Sequence, residues 1–169
     1  TSREDILLIV EPVLMAPLRR RWEDVQQVAL DLVLRRDEAK TTRTRNNRQR
    51  ELTNLLTGFA AEIAQERVLD PACGSANFLY VALKQMLDLE KEVVALAGDL
   101  GVGRFFPSVS PSQLHGIEIN EYAHELAQAT IWIGYIQWLN DNGFGLPSEP
   151  ILKPLDNILC MDAILAYDV

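Results

Sequence analysis

Residues able to do chemistry are concentrated in three short stretches. The first, Asp70-Pro71-Ala72-Cys73-Gly74-Ser75-Ala76-Asn77-Phe78, opens on a carboxylate and sets one glycine among small residues. Gly74 permits a tight turn and close backbone approach, and a helix starting at Asn77 aims unpaired amides at whatever lies before it. The second, Gly116-Ile117-Glu118-Ile119-Asn120, ends an apolar run with an acid. A carboxylate in that place accepts hydrogen bonds from both hydroxyls of a ribose. The third is Cys160-Met161-Asp162-Ala163. Other phosphate-loop chemistries do not fit: a dinucleotide loop carries G-x-G-x-x-G, and a P-loop carries Lys followed by Ser or Thr where Asn77-Phe78 stand. Composition alone leaves an ordinary βα turn and solvated strand-end acids open as readings.

The surrounding pattern indicates what holds these stretches in place. Residues 4–14, punctuated by Pro12 and Pro17, read as a short helix or turn running into a longer one. Trp22, Val25, Ala29, Leu32 and Val33 then repeat at three and four positions, with charges on the other faces, as in an amphipathic helix ending near Glu38. Lys40 to Arg50 is polar and carries four arginines, Arg43, Arg45, Arg48 and Arg50. The preferred reading of this run is a solvated, mobile linker, with contact to DNA phosphates as the alternative. Helical periodicity returns at Leu52, Leu55, Leu56, Phe59, Ala60 and Ile63.

From Arg67 the grammar changes. Val68-Leu69 reads as a short buried strand, 77–96 as a helix and 114–119 as a strand. Glu121 to about Asn140 follows as a helix, then 141–150 as a Gly/Pro turn region, 157–160 as a strand and 167–169 as the start of a fourth. Between Gly98 and Ser112 stand three Gly, two Pro and three Ser, the mark of a loop or small insertion. Strand, helix, strand, helix, strand predicts a parallel α/β sheet, whose ligand lies beyond the carboxyl ends of its strands. Glu118 follows Asp70 by 48 positions, against roughly 20 between a glycine loop and its ribose acid in nucleotide folds, and the 98–112 insertion accounts for the excess.

The run Asp70-Pro71-Ala72-Cys73-Gly74-Ser75-Ala76-Asn77-Phe78-Leu79 closely resembles the D-P-A-C-G-S-G-N-F-L loop of methyltransferases that modify the N6 amine of adenine in DNA. The departure is Ala76, where that family usually has Gly, so one methyl group is expected to crowd the methionine end of the cofactor. Glu121 to Ala127, Ile131 to Trp138 and Pro154 to Ile158 look like the methyltransferase segment of single-chain type II restriction-modification enzymes. The resemblance implies a Rossmann-like class I methyltransferase sheet, N-terminal half only, over 66–169, preceded by a helical connector over 1–65. It implies S-adenosylmethionine as cofactor, with the amino acid end held by Asp70 and the loop 71–78. It further implies the ribose on Glu118, Ile119 against the adenine ring, the adenine amine on Asp162, and Ala163 lining the ring. The family's catalytic N-P-P-F or N-P-P-Y loop, on which a flipped base stacks, does not occur in the sequence. A cofactor-binding fragment, inactive alone, of a DNA adenine N6-methyltransferase is therefore expected. The alternatives are a cofactor module of an RNA or protein methyltransferase, and a non-catalytic helical adaptor with a degenerate α/β domain.

Composition limits the partners. The 169 residues are 48% hydrophobic and 24% charged, enough apolar material for a packed core. Residues 1–50 hold 11 of the 16 Lys and Arg and 8 of the 24 Asp and Glu, so they are net +3 while the remainder is −11. Since nucleic-acid affinity comes largely from Lys and Arg neutralising phosphates, DNA contact is expected mostly outside this chain. Cys73 and Cys160 form no C-x-x-C pair, and His115 and His124 belong to no ligand cluster, so neither structural zinc nor a disulfide framework is expected. The cysteines are read as small packing residues and the histidines as structural. No apolar run is long enough to span a membrane and no signal or transit peptide is evident. A cytoplasmic location is the corresponding expectation, and the start at Thr1 without Met points to a piece of a longer protein.

Overall fold

The computed structural model, which describes residues 2–145 and 154–164, has five α-helices and three short strands among those residues, three helices in succession and then strands alternating with the other two. The expected fourth strand at 167–169 and the later part of the Gly/Pro region lie outside the described residues. Helix α1 (Arg3–Val10) begins with a capping box, in which Ser2 and Asp5 exchange hydrogen bonds. It passes without a break through a π-helical turn, Glu11–Met15, into α2 (Ala16–Asp37). Pro12 and Pro17 each lack an amide donor, and the wider turn absorbs them: the Ala16 amide reaches back to the Glu11 carbonyl. The prolines thus reshape one long helix rather than dividing it.

Helix α3 (Thr42–Ile63) corrects the linker reading of 40–50. The Thr41 side chain caps the helix by accepting from the Thr44 amide at 3.2 Å, and Arg43, Arg45, Arg48 and Arg50 occupy its first turns. Apolar periodicity starts only at Leu52 because the first turns are solvated. Leu52, Leu56, Phe59, Ala60 and Ile63 are buried as their spacing predicts. Trp22 of α2 stacks on Phe59 of α3 with ring centroids 5.4 Å apart.

The sheet is parallel throughout, in the order β1 (Val68–Asp70), β2 (Leu114–Glu118), β3 (Ile158–Cys160). Helix α4 (Asn77–Asp99) connects β1 to β2, and α5 (Glu121–Asp141) lies between β2 and β3. Leu114 and Gly116 face the packed side of the sheet. Leu69 and Leu159 point the other way and are 61% and 46% exposed, so the expected burial of Leu69 does not hold. Both crossover helices lie on one face, and among the described residues the other face has no such cover.

Two close approaches lock this arrangement. A Cβ on Gly116 would stand 2.8 Å from the Cys73 sulfur and 3.1 Å from Ile158, so glycine is what lets the loop after β1 lie flat over β2. A Cβ on Gly134 would enter the Tyr80 ring, which fixes the spacing between α4 and α5. His124 and Gln128 of α5 hold the approach to β3, through the Ile158 carbonyl at 2.9 Å and the Leu155 amide at 2.8 Å. His124 is structural, as expected.

Candidate functional site: an acid and amide cleft at the strand ends

The loop leaving β1 is tied down residue by residue. Asp70 ends the strand, and its carboxylate accepts from the Ala72 amide at 3.0 Å. The Cys73 amide donates to the Ile117 carbonyl at 3.0 Å, strapping the loop across β2. Gly74 and Ala76 both adopt positive φ, 53° and 63°, and the Ala76 amide closes the turn on the Cys73 carbonyl at 2.7 Å. A left-handed residue at position 76 is the physical reason a glycine suits that place. Ala76 is fully buried in the core, so its methyl has no exposed surface through which to crowd a ligand in the way expected.

Glu118 joins the two motifs. One carboxylate oxygen accepts from the Asn120 amide at 2.8 Å and the other from the Gly74 amide at 2.9 Å. The Asn120 amide, followed by that of Gly74, holds the Glu118 carboxyl below the ordinary value of 4.5, so it is ionised at neutral pH. Asn120 also caps α5, its side chain accepting from the Ala123 amide at 3.0 Å. Burial pushes the Cys73 thiol up to about 11, with the Asp70 and Glu118 charges adding to the effect. A protonated, buried thiol is a packing group and not a nucleophile, whereas Cys160, expected to pack likewise, is exposed.

A cleft of about 240 Å³ opens where the three motifs meet, and Pro71, Ala72, Glu118, Ile119, Asp162 and Ala163 line it. Cys73 and Ala76 are buried beneath the loop and Phe78 packs against the core. Asp70, Gly74 and Ser75 are half-buried, and Asn77 is exposed at the start of α4. The contiguous run 70–78 therefore divides into residues that face the cleft and residues that shape the loop. Ile117, Met161 and Ile164 also line the cleft and were not expected there. Their positions beside Glu118 and Asp162 were the available signal. Asp162 accepts from the Ile164 amide at 2.8 Å, a turn that brings the segment after β3 back over the cleft.

Among the described residues there is no group of three His, Cys, Asp or Glu able to hold a metal ion, and no helix long and apolar enough to cross a membrane.

Comparison with known proteins bears on the same region. The chain is 39% identical over 84 residues to DNA methyltransferase A of Bacillus subtilis (strain 168), a match covering 49% of this chain and 9% of that protein. It is 26% identical over 165 residues to a Methanocaldococcus jannaschii protein provisionally named a type II restriction enzyme and methyltransferase, covering 94% of this chain and 13% of that one. A solved structure of the type IIL restriction-modification enzyme MmeI in complex with DNA superposes with a TM-score of 0.68 at 23% identity. That match covers 96% of this chain and 20% of the MmeI chain, and it shows a shared fold. The chain thus corresponds to a small part of the length of each. The family model for the MmeI DNA-methyltransferase domain matches residues 41–160, from the first turns of α3 to the end of β3. The chain belongs to the MmeI-type DNA-methyltransferase domain family of restriction-modification enzymes.

Proposed function

We propose that residues 66–169 are the S-adenosylmethionine-binding half of a Rossmann-like class I methyltransferase domain that acts on the N6 amine of adenine in DNA, with residues 1–65 as its helical connector. The observation that carries this reading is the Glu118 carboxylate, which is bonded to the Gly74 amide of the loop and lines one cleft with Asp162. Cleft and cofactor are compatible in chemistry. An ionised acid suits a pair of ribose hydroxyls, apolar walls at Ile119 and Ala163 suit a purine ring, and Asp162 offers an acceptor to its amine. Asp70 and the backbone of 71–78 are assigned to the amino acid end of the cofactor. Pro71 and Ala72 line the cleft, Gly74 and Ser75 flank it, and Cys73, Ala76, Asn77 and Phe78 set the course of the loop into α4. When bound, S-adenosylmethionine supplies an electrophilic methyl group.

This chain's residues then act by binding and orientation. Glu118 sets the ribose, Asp162 sets the adenine, and the loop after β1 sets the methionine portion, which fixes where the methyl group is presented. The remainder 51–169 is strongly acidic, so grip on DNA phosphates is assigned to regions beyond these residues.

Titration calorimetry with S-adenosylmethionine tests the site. Glu118→Ala is expected to weaken binding by at least about tenfold, equivalent to about 1.4 kcal/mol, with circular dichroism unchanged. Undiminished affinity in that variant would sink the reading. Nucleoside mass spectrometry of DNA modified by the full-length protein is expected to show N6-methyladenine, and methylcytosine instead would overturn the choice of base.

A further inference from the structure

The last turns of α4 and α5 enclose a second cavity, of about 410 Å³, walled by Lys91, Arg104, Phe105, Phe106, Asn142 and Phe144 among others. Lys91 lies 14 residues along α4 from Asn77, roughly 21 Å at the rise of an α-helix. The cavity is therefore well separated from the acid cleft.

Two helix endings build it. Gly143, at φ 75°, reverses the chain after α5, and the Phe144 amide bonds back to the Leu139 carbonyl at 3.0 Å. The Phe144 ring returns to stack on Trp138 at 5.5 Å, with 10° between the planes. Asn142 donates to the Trp138 carbonyl at 2.7 Å and accepts from the Lys91 ammonium at 2.5 Å, which fixes where that cation stands. At the other ending, Gly101, at φ 74°, reverses the chain after α4, and the Val102 amide bonds to the Ala97 carbonyl at 2.9 Å. Arg104 follows. Its stem lies against Gly98, where a Cβ would come within 3.3 Å of it. Phe106 meets Phe144 edge to face at 5.9 Å and remains 49% exposed.

Neither Lys91 nor Arg104 makes an ion pair among the described residues, although 51–169 is net −11. Two cations without an ion-pair partner among the described residues, set beside three phenyl rings, suit a ligand that is both anionic and flat. The volume is that of a small-molecule site, and nucleobases of every kind stack on aromatic side chains. We propose that this cavity binds a nucleoside monophosphate, with the base against Phe106 and Phe144 and the phosphate on Lys91 and Arg104. The nucleotide is either free or the terminal unit of a single strand.

Thymidine 5′-monophosphate is the suitable probe, titrated calorimetrically with S-adenosylhomocysteine saturating the acid cleft. Saturable binding is expected, weakened at least about tenfold in the Lys91→Ala, Arg104→Ala double variant and in Phe106→Ala. These three side chains are exposed, so the fold is expected to survive, with thermal melting as the check. Glu118→Ala is expected to leave nucleotide binding unchanged, which keeps this proposal distinct from that for the cofactor cleft. Thymidine without its phosphate is expected to bind at least about tenfold more weakly. A short oligothymidylate separates the sources: tighter binding than the mononucleotide assigns a strand terminus, and equal or weaker binding assigns the free nucleotide. No saturable binding at millimolar nucleotide, or binding that survives the double variant, overturns the proposal.

Discussion

At the scale of single residues, Ala76 shows how the loop is held. Its φ of 63° places an L residue in the left-handed region, which costs about 1–2 kcal/mol. Replacing it with glycine relieves that cost, but forfeits a buried methyl worth about 0.8 kcal/mol and adds chain entropy of about 0.5–1 kcal/mol to the unfolded state. The opposing terms nearly cancel, so Ala76→Gly is expected to leave stability within about 1 kcal/mol of the parent. Ala76→Val adds β-branching at positive φ, and two methyl groups, at a fully buried position and is expected to cost about 2–3 kcal/mol. Urea denaturation of the three proteins measures both, and a valine variant as stable as the parent would contradict the strained geometry.

At the scale of elements, the joint between α4 and β2 depends on a buried acid. Glu90 of α4 is fully buried, and its two oxygens accept from the amides of Ser108 and Val109 at 2.7 and 2.9 Å. This clamps the irregular 100–110 segment on its way into the strand that carries Glu118. Burial raises the Glu90 carboxyl above its ordinary 4.5, against the two amides, which lower it. Glu90→Ala orphans the buried Val109 amide and is expected to cost about 1–3 kcal/mol. The pH dependence has a definite sign. With the folded value raised, the unfolded chain ionises first, so the contribution of Glu90 to stability is complete below about 4.5 and declines as pH rises through the folded value. The stability of the parent relative to Glu90→Gln is thus expected to fall as pH rises above about 4.5, measured by denaturant melts at stepped pH. A difference that rises with pH would reverse the assignment.

At the scale of the whole molecule, the buried apolar residues form one cluster running from Ile6 in α1 to Ile158 in β3. Helices α1 to α3 and the sheet therefore share a core. The Trp22 and Phe59 stack lies within that cluster. Phe59→Ala is expected to destabilise the 169-residue chain by about 3–5 kcal/mol. Far-ultraviolet circular dichroism and tryptophan fluorescence are expected to report one coincident transition for parent and variant alike. Separate transitions for helices and sheet would show two independent units.

Much of this was legible from local pattern. The helical faces of 18–36 and 52–63, the three strands, the glycine loop and the acid closing the second strand follow from periodicity of 3.6 or 2 and from turn chemistry, which act over short stretches of chain, whereas the bond from the Gly74 amide to Glu118 joins segments 44 positions apart. What the pattern missed arises between segments distant in sequence. Arg43 to Arg50 looked like a linker because a solvated helical turn buries nothing and so leaves no apolar period. Leu69 looked buried because apolar character does not say which face of a sheet is covered. The need for glycine at 116 comes from the Cys73 sulfur, 43 positions away in sequence. Local residue order determined the elements and the chemistry available to them. Tertiary packing decided which of those residues share a cleft, because only there do steric contact and shared hydrogen bonds between remote segments enter the free energy.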